Sequence, residues 1–302
     1  MRDLAGKRAL VTGAASGIGR AIALRLAAER VHLLLVDVDQ VGLENVARLV
    51  RDHGVDVATC YCDVSDPAQV TEVTKLAYDQ WAGVDVLVNN AGVTYHGFTH
   101  HMPDAEWQRL LAINLHAPLQ FTQELLPGLL ARPRAHVLNV CSVLGLVGLP
   151  RVSAYCTTKF AMVGYSQSLR SEYGRWGLGV TALCPGLVKT SLFSSARPET
   201  AGAAPKQPPS WVCTTPERVA KAAVSAIRRN RAKVMVEPFA RVVYGFQQAF
   251  PTVFDWALRL GEHRRVRKQE LELASLSTDR TDAYRQLIAA EMQRKQAKRG
   301  AA

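Results

Sequence analysis

The sequence predicts an α/β fold: a single doubly wound parallel sheet of about seven strands with helices on both faces, followed by a C-terminal helical extension. Short apolar runs alternate with helical patterns as far as residue 236 or so, which is typical of parallel strands joined by crossover helices. The runs are 8–11, 31–37, 57–62, 84–89, 136–140, 180–184 and 233–236. At 302 residues and 48% hydrophobic, the chain can bury a large core in one domain.

The first apolar run leads into a glycine-rich turn, TGAASGIG over residues 12–19, that opens the first helix. Gly13 can adopt backbone angles closed to other residues, Gly17 leaves room for a pyrophosphate, and Gly19 lets the helix lie close to the sheet. Free N–H groups at a helix N-terminus favour negative charge. The turn, which also contains Ser16 and Ile18, therefore predicts the phosphate site of a dinucleotide.

The second apolar run ends in Asp37, where a dinucleotide-binding fold places the acid that accepts hydrogen bonds from the adenosine ribose hydroxyls. A carboxylate at this place also repels a 2′-phosphate. Residues 38–40 contain no Arg or Lys to offset that charge, and Ser16 rather than a basic residue precedes Gly17. The sequence therefore favours NAD as the cofactor over NADP.

Ser142, Tyr155 and Lys159 form a second pattern, suited to moving a proton. An unperturbed tyrosine has a pKa of about 10 and is a poor base at neutral pH. Lys159 lies four residues on, hence on the same helix face, and its charge favours the phenolate. Tyr155 can then take the hydroxyl proton of an alcohol as hydride leaves for a nicotinamide, or return it when a ketone is reduced. Ser142 can hydrogen-bond the same oxygen, where charge develops.

Together these motifs resemble the short-chain dehydrogenase/reductase family, whose Rossmann-type fold the chain matches over about residues 5–236. Other residues that fit the family pattern are Asp63, Val64, Asn89, Asn90, Ala91, Gly92, Asn114, Pro185, Gly186, Leu187, Val188, Lys189 and Thr190. The resemblance implies that Asp63 and Val64 contact adenine. It also implies that residues 89–92 line the cofactor and stabilise the central sheet.

The resemblance assigns two further roles. Val188 and Thr190 hold the carboxamide of the nicotinamide, and Asn114 anchors a water that links Lys159 to solvent. The predicted catalytic residues are Ser142, Tyr155, Lys159 and Asn114. The predicted cofactor-binding residues are Gly13, Ser16, Gly17, Ile18, Gly19, Asp37, Asp63, Val64, Asn90, Ala91, Gly92, Tyr155, Lys159, Pro185, Gly186, Val188 and Thr190.

The substrate is predicted from apolar segments. Leu144, Leu146, Val147 and Leu149 follow Ser142, and a lid over residues 191–214 mixes apolar side chains with Pro, Ala and Gly. A mobile apolar lid suits a bulky hydrophobic alcohol or ketone better than a sugar. Residues 1–237, lid included, are predicted to form the catalytic domain.

Residues 238–302 are predicted to form a helical extension with a basic tail. Residues 228–302 carry 16 Lys and Arg against 8 Asp and Glu. Apolar residues recur at helical spacing from Phe239 to Leu258, and Pro251 divides two helices. Three roles stay open: docking on the core or on a partner subunit, covering the substrate mouth, or peripheral contact with a membrane. A homo-oligomer, dimer or tetramer, is expected, although many tetrameric relatives end soon after the last strand.

Several other functions are disfavoured. The pI of 9.6 invites nucleic-acid binding, but the basic excess lies on a tail without a recognised binding motif. The six cysteines show no metal-ligand spacing, so no metal is expected. The first residues run directly into a strand, and no apolar stretch reaches the ~20 residues that span a bilayer. A cytoplasmic location is predicted.

The predicted activity is thus an NAD(H)-dependent oxidoreductase that interconverts a secondary alcohol and a ketone on a bulky hydrophobic substrate, lipid-, steroid- or polyketide-like. One alternative is an NADP(H)-dependent carbonyl or 3-oxoacyl reductase. An alternative of another class is a scaffold that senses NAD without turnover. The intact Ser142, Tyr155 and Lys159 disfavour that scaffold, since a pure sensor needs no proton donor.

Overall fold

The computed structural model describes residues 1, 3–99, 102–189, 197–198 and 213–259. A seven-stranded parallel sheet has the order β3-β2-β1-β4-β6-β7-β9. Its strands are β1 (Arg8–Thr12), β2 (His32–Asp37), β3 (Val57–Tyr61), β4 (Val86–Asn89), β6 (Ala135–Val140), β7 (Leu178–Cys184) and β9 (Lys233–Met235). The prediction of a doubly wound parallel sheet is confirmed, and each predicted run contains or overlaps one strand. A short pair, β5 (Tyr95–His96) with β8 (Arg197–Pro198), was not predicted.

Eight helices longer than a single turn are defined in the described residues of the first compact unit. They are α1 (Gly17–Ala28), α2 (Gln40–Arg51), α3 (Pro67–Trp81), α4 (Asp104–Leu111), α5 (Ala117–Leu130), α6 (Ser153–Tyr173), α7 (Pro216–Arg229) and α8 (Pro238–Ala249). A π-helical turn, Ala112–His116, joins α4 to α5. No described helix is long and apolar enough to cross a membrane.

Helices cover both faces of the sheet, and side chains alternate between the two faces along each strand. One core cluster packs α1, α2 and α7 against residues such as Leu33 and Leu35. The other packs α3, α5 and the end of α6 against residues such as Leu34 and Val36. Strands buried on both faces read as continuous apolar runs, which explains why the sequence revealed them.

Two compact units divide the chain, Met1–Ala249 and Phe250–Ala302. The first holds every strand of the described residues and α1 to α8. In the second, residues 251–259 are helical, so Pro251 stands at a helix start, where proline is tolerated. The predicted domain boundary at residue 237 stays a prediction. Most of the predicted lid and the tail from residue 260 onward lie outside the described residues.

The turn between β1 and α1 depends on glycine at two places. Gly13 has φ +64° and Gly17 has φ +53°, in the left-handed region that favours glycine. Gly19 lies inside α1, and a Cβ there would overlap the carbonyl oxygen of Gly13 and approach the Asn90 amide. The close packing of α1 on the turn therefore requires glycine at this position, because any larger residue would add a Cβ atom, and the sequence predicted such close packing.

We expect Gly19→Ala to lower the free energy of unfolding by about 1–3 kcal/mol, because the added methyl must displace α1 or the turn. Gly164→Ala is the matched control: Gly164 is an exposed position of α6 with nothing within 4 Å of an added Cβ. That variant should gain up to about 1 kcal/mol from helix propensity. Urea denaturation measures both, and equal stabilities would contradict the packing described.

Candidate active site

A cavity of about 870 Å³ opens at the carboxyl ends of the strands, where the order reverses between β1 and β4. Ligands of open α/β sheets bind at such a switch point. Predicted residues that line it are Gly13, Ser16, Gly17, Ile18, Asp37, Asp63, Val64, Asn90, Ala91, Gly92, Ser142, Tyr155, Lys159, Pro185, Gly186 and Val188. Gly19 and Asn114 are not among the lining residues, and Thr190 lies outside the described residues.

Asn90 and Thr12 tie the glycine-rich turn to the neighbouring strand. The Asn90 Nδ2 donates to the carbonyl oxygens of Thr12 and Gly13, at 2.9 and 3.0 Å. The Thr12 Oγ1 accepts from the backbone N–H groups of Asn90 and Ala91, each at 3.0 Å. These bonds hold the turn open beside the N-terminus of α1, where Ser16 makes no side-chain cap. The resulting cradle fits an anionic phosphate group.

Asp37 ends β2 on the cavity wall. Its Oδ2 accepts from Ala15 N at 2.9 Å, and its Oδ1 accepts from Asp39 N at 3.1 Å. The carboxylate is therefore fixed between the glycine-rich turn and the start of α2. Among the described residues, the wall contains two basic side chains, Arg109 on α4 and Lys159 on α6. Neither belongs to β2 or α2, the elements on either side of Asp37.

Asp63 follows β3 and is held in a turn. Its Oδ1 accepts from the backbone N and the hydroxyl of Ser65, at 2.9 and 2.7 Å, and its backbone N donates to Gln69 Oε1 at 2.9 Å. Val64 follows it on the same wall. Asp37, Asp63 and Val64 thus border the end of the cavity that the resemblance assigns to adenosine.

Ser142, Tyr155 and Lys159 meet on the cavity wall, and all three are buried. Ser142 follows β6, while Tyr155 and Lys159 lie one turn apart on α6. The Lys159 Nζ is 5.6 Å from the centre of the Tyr155 ring and donates to the Val140 carbonyl oxygen at 2.9 Å. The Ser142 Oγ accepts from Leu144 N at 3.1 Å.

Burial dominates the electrostatics of these groups. It raises the pKa of Tyr155 to about 12, although a hydrogen bond with Ser142 opposes the rise. Burial also lowers the pKa of Lys159, opposed by the thiols of Cys141 and Cys184. The expected lowering of the Tyr155 pKa by Lys159 does not offset the effect of burial in this structure. Tyr155 is a protonated phenol at neutral pH, ready to donate.

Asn114 lies behind this wall, in the π-helical turn, and is 1% exposed. Its Nδ2 donates to the Val93 carbonyl oxygen at 2.9 Å and to Thr158 Oγ1 at 3.2 Å. Its Oδ1 accepts from Val93 N at 2.8 Å. The amide thereby joins the loop after β4 to α6. The π turn was not foreseen, although such turns often mark functional sites.

The rest of the wall is largely apolar. Apolar residues lining it include Val93, Ile113, Leu144, Val147, Leu149, Val152, Phe239, Ala240 and Val243. Of the four residues predicted from the segment after Ser142, Leu144, Val147 and Leu149 line the cavity, whereas Leu146 does not. Glu237, Thr94, Arg109 and Ile113 are among the lining residues that sequence reasoning missed. The first turns of α8 also line the cavity, and covering the substrate mouth was one of the roles left open for the extension. One signal pointed to Glu237: a residue that comes shortly after the last parallel strand falls at the same sheet edge as the site.

Comparison with known proteins identifies the family. The model of the short chain dehydrogenase family matches residues 7–201. The chain belongs to this short-chain dehydrogenase family. It is 38% identical over 196 residues to the granaticin polyketide synthase putative ketoacyl reductase 1 of Streptomyces violaceoruber, covering 64% of this chain and 72% of the relative. It is 32% identical over 252 residues to the putative oxidoreductase SadH of Mycobacterium tuberculosis, covering 80% and 90%.

The fold comparison agrees with the family match. A short-chain dehydrogenase/reductase from Burkholderia phymatum, solved in complex with NAD, superposes with a TM-score of 0.76 at 26% identity. The match covers 82% of this chain and 95% of that one. This short-chain dehydrogenase is therefore an oxidoreductase with a Rossmann-like nucleotide-binding fold. Its family uses NAD or NADP, acts on small molecules and is typically oligomeric.

We expect Asn114→Ala to lower the free energy of unfolding by at least about 2 kcal/mol, because it removes three hydrogen bonds and strips partners from the Val93 backbone. Asn45→Ala, at an exposed position of α2, is the control and should change stability little. Thermal unfolding followed by circular dichroism gives both values. A similar small loss in the two variants would show that Asn114 does not join the elements as described.

Proposed function

We propose that this short-chain dehydrogenase is an NAD(H)-dependent oxidoreductase that interconverts a secondary alcohol and a ketone on a bulky hydrophobic substrate. The observation that carries the proposal is the single cavity in which the glycine-rich turn and Asp37 lie at one end and Ser142, Tyr155 and Lys159 at the other. A dinucleotide in the first part would reach the proton-transfer groups in the second.

The residues present fit such a cofactor. The turn around Gly13 and Gly17 and the N-terminus of α1 would hold the pyrophosphate, and Asp37 would accept from the adenosine ribose. Asp63 and Val64 would border adenine, and residues 185–188 would border the nicotinamide. When bound, the nicotinamide supplies or accepts the hydride.

Tyr155 moves the proton. Its buried phenol is protonated at neutral pH, so its O–H can donate to a ketone oxygen as negative charge develops there, and take the proton back from the alcohol in the reverse direction. The Ser142 hydroxyl donates to the same oxygen and orients it. Lys159, whose Nζ is 5.6 Å from the ring, stabilises the phenolate that remains.

Asn114 supports the relay in this proposal. Its side chain fixes the loop after β4 against α6, close to Lys159: a Cβ on Gly92 would lie 3.3 Å from Asn114 Oδ1 and 3.6 Å from Lys159 Nζ. The water that the family resemblance places between Asn114 and Lys159 would then carry the proton to solvent. By this route Tyr155 would regain its proton after each reduction.

The apolar lining supports a hydrophobic substrate. Side chains from the segment after β6 and from α8 form much of the wall beside Ser142 and Tyr155. Such a surface stabilises a lipid-, steroid- or polyketide-like ligand by removing its apolar area from water. The name of the Streptomyces violaceoruber relative, a ketoacyl reductase of a polyketide synthase, points the same way.

A homo-oligomer, dimer or tetramer, is part of the proposal, in line with the family. On α8 three large apolar side chains are exposed, Phe239 by 58%, Val242 by 67% and Phe246 by 43%. Such a surface supports either a contact with a second subunit or a peripheral contact with a membrane. A cytoplasmic location also remains a proposal.

We expect Tyr155→Phe to reduce kcat by at least ~100-fold, because it removes the group that transfers the proton. Binding of NADH, measured by fluorescence titration, should be nearly unchanged. Tyr61→Phe, at an exposed position of β3, is the control and should keep full activity. Wild-type turnover in Tyr155→Phe would refute the proton-transfer role. NADH binding by the wild type without turnover of any alcohol or ketone would instead favour the sensing scaffold.

Cofactor choice is tested at Asp37. We expect the wild type to prefer NADH, because the fixed carboxylate repels a 2′-phosphate, and Asp37→Ser combined with Val38→Arg to shift preference toward NADPH. Asp39→Ser keeps a capping oxygen for α2 while removing a neighbouring charge, so it should preserve the preference. The ratio of kcat/KM for the two cofactors decides. A wild type that prefers NADPH would favour the NADP(H)-dependent carbonyl or 3-oxoacyl reductase.

A further inference from the structure

A second cavity, of about 860 Å³, lies at the edge of the sheet opposite the active site. Ala135 and His136 at the start of β6, with Gly177 and Gly179 at the start of β7, form part of its wall, so it faces the amino ends of the strands. The end of α1 and one face of α7 line the rest. We call it the basic pocket, after its charged lining residues Arg25, Glu29, Arg134, Lys221, Arg228 and Arg229.

Positive charge outweighs negative charge in the basic pocket. Among the described residues, five of the charged side chains on its wall are basic and one, Glu29, is acidic. The Glu29 Oε1 accepts from Arg25 at 3.1 Å, and its Oε2 accepts from Arg228 at 3.3 Å. Both oxygens of this carboxylate are therefore engaged, and it does not neutralise the other cations of the pocket.

Three basic side chains of the pocket have no acidic partner. The side chains of Arg134, Lys221 and Arg229 make no hydrogen bond or ion pair within the described part of the chain. All three are exposed, so a dissolved ion can reach them. Cations in the last turn of a helix often only complement its dipole, which accounts for Arg229 on α7. It does not account for Lys221, in the first half of that helix, or for Arg134, which precedes β6.

A buried histidine on the pocket wall responds to this positive charge. The Nε2 of His136 hydrogen-bonds to the Thr181 hydroxyl at 2.9 Å. Burial lowers the pKa of His136 to about 3, and the charges of the N-terminal amino group and of Arg170 act in the same direction. Arg170 donates to neutral acceptors, the Val180 carbonyl oxygen and Asn230, so these bonds leave its charge uncompensated. His136 is neutral at pH 7, and the wall around it is electropositive.

The spacing of the cations favours an anion with several charged groups. Lys221, Ser225 and Arg229 follow one another at intervals of four residues on one face of α7. Lys221 and Arg229 are thus separated by about 12 Å along the helix axis, and Arg134 adds a third charge from another element. Phosphate and carboxylate groups bind arginine in bidentate fashion. Like charges around one cavity repel each other, so a bound polyanion relieves that repulsion.

We propose that the basic pocket is a binding site for a small anion that carries several negative charges on phosphate or carboxylate groups. The site is separate from the proposed oxidoreductase centre, which lies at the other edge of the sheet. The inference therefore does not depend on the proposed function. Because the cations are exposed, binding should weaken as salt screens them.

Isothermal titration calorimetry of the full-length protein at low ionic strength tests the proposal, with inorganic tripolyphosphate, pyrophosphate and phosphate as probes. We expect tripolyphosphate to bind at one site per chain and at least about tenfold more tightly than phosphate, because each further negative charge meets another cation. Citrate and ATP, titrated in the same way, distinguish a polycarboxylate and a nucleotide from an inorganic polyphosphate.

The decisive variant combines Arg134→Gln, Lys221→Gln and Arg229→Gln. It removes the three unpaired charges and leaves both ion pairs of Glu29 intact. The affinity for tripolyphosphate should fall at least about tenfold. Since the substitutions relieve repulsion and break no described contact, circular dichroism should show a folded protein.

The matched control combines Arg48→Gln, Lys75→Gln and Arg218→Gln, at exposed positions outside the pocket. It removes the same net charge and should lower the affinity by no more than about threefold. Ser225→Glu is an independent second variant, because it places a carboxylate on the same face of α7 between two of the unpaired cations. It should abolish binding.

Three results would overturn the inference. The first is that none of the polyanions binds. The second is an equal loss of affinity in the pocket variant and its control, which would assign the binding to overall charge. The third is binding that the pocket variants keep and NADH displaces, which would place the anion at the turn after β1. Should the triple variant not fold, Ser225→Glu decides between these results and the proposal.

Discussion

The hydrogen bonds between Asn90 and the turn after β1 are the interaction on which the rest of the site depends. They join the carboxyl ends of β1 and β4, between which the strand order reverses. They also orient the backbone that leads into α1. Because Gly19 packs directly on the carbonyl of Gly13, these hydrogen bonds also set how closely α1 approaches the sheet. The turn beside the N-terminus of α1 presents peptide groups held in place rather than cationic side chains, which suits an anionic group.

A buried chain of polar side chains positions α6, which carries the proposed proton-transfer residues. Asn89 Nδ2 donates to Asn139 Oδ1 at 2.8 Å, and Asn139 Nδ2 donates to Ser166 Oγ on α6 at 2.9 Å. Buried amides are unfavourable unless paired, so this chain allows few alternative placements of α6 on β4 and β6. Since Tyr155 and Lys159 lie on α6, their height above the sheet is set by residues that do not line the cavity.

Much of the fold was predictable because its information is local. Strands buried on both faces appear as continuous apolar runs, and a left-handed turn appears as glycine. Ser142, Tyr155 and Lys159 could be singled out because few side chains suit proton transfer, and the structure brings them together on one cavity wall. The rest depends on tertiary packing. The pKa of Tyr155 reflects how completely α6 is covered, which spacing along the chain does not encode.

The C-terminal segment shows the same limit. Its apolar periodicity predicted a helix from Phe239 onward but left open what the helix packs against. In the structure Ala240 is buried and Phe239 and Val243 line the cavity, so the first turns of α8 belong to the site. The π turn at Ala112–His116 was equally hidden, since one extra residue in a helical turn leaves the apolar pattern almost unchanged.

The segment Pro185–Gly186 is held from both sides, by Val143 N on one and by the Glu237 carboxyl on the other. The backbone beside Ser142 and the residue that precedes α8 are therefore connected through one short segment. A displacement at the start of α8 would shift the backbone next to Ser142. Substitutions at the start of α8 can thus change the geometry of a wall that they do not contact directly.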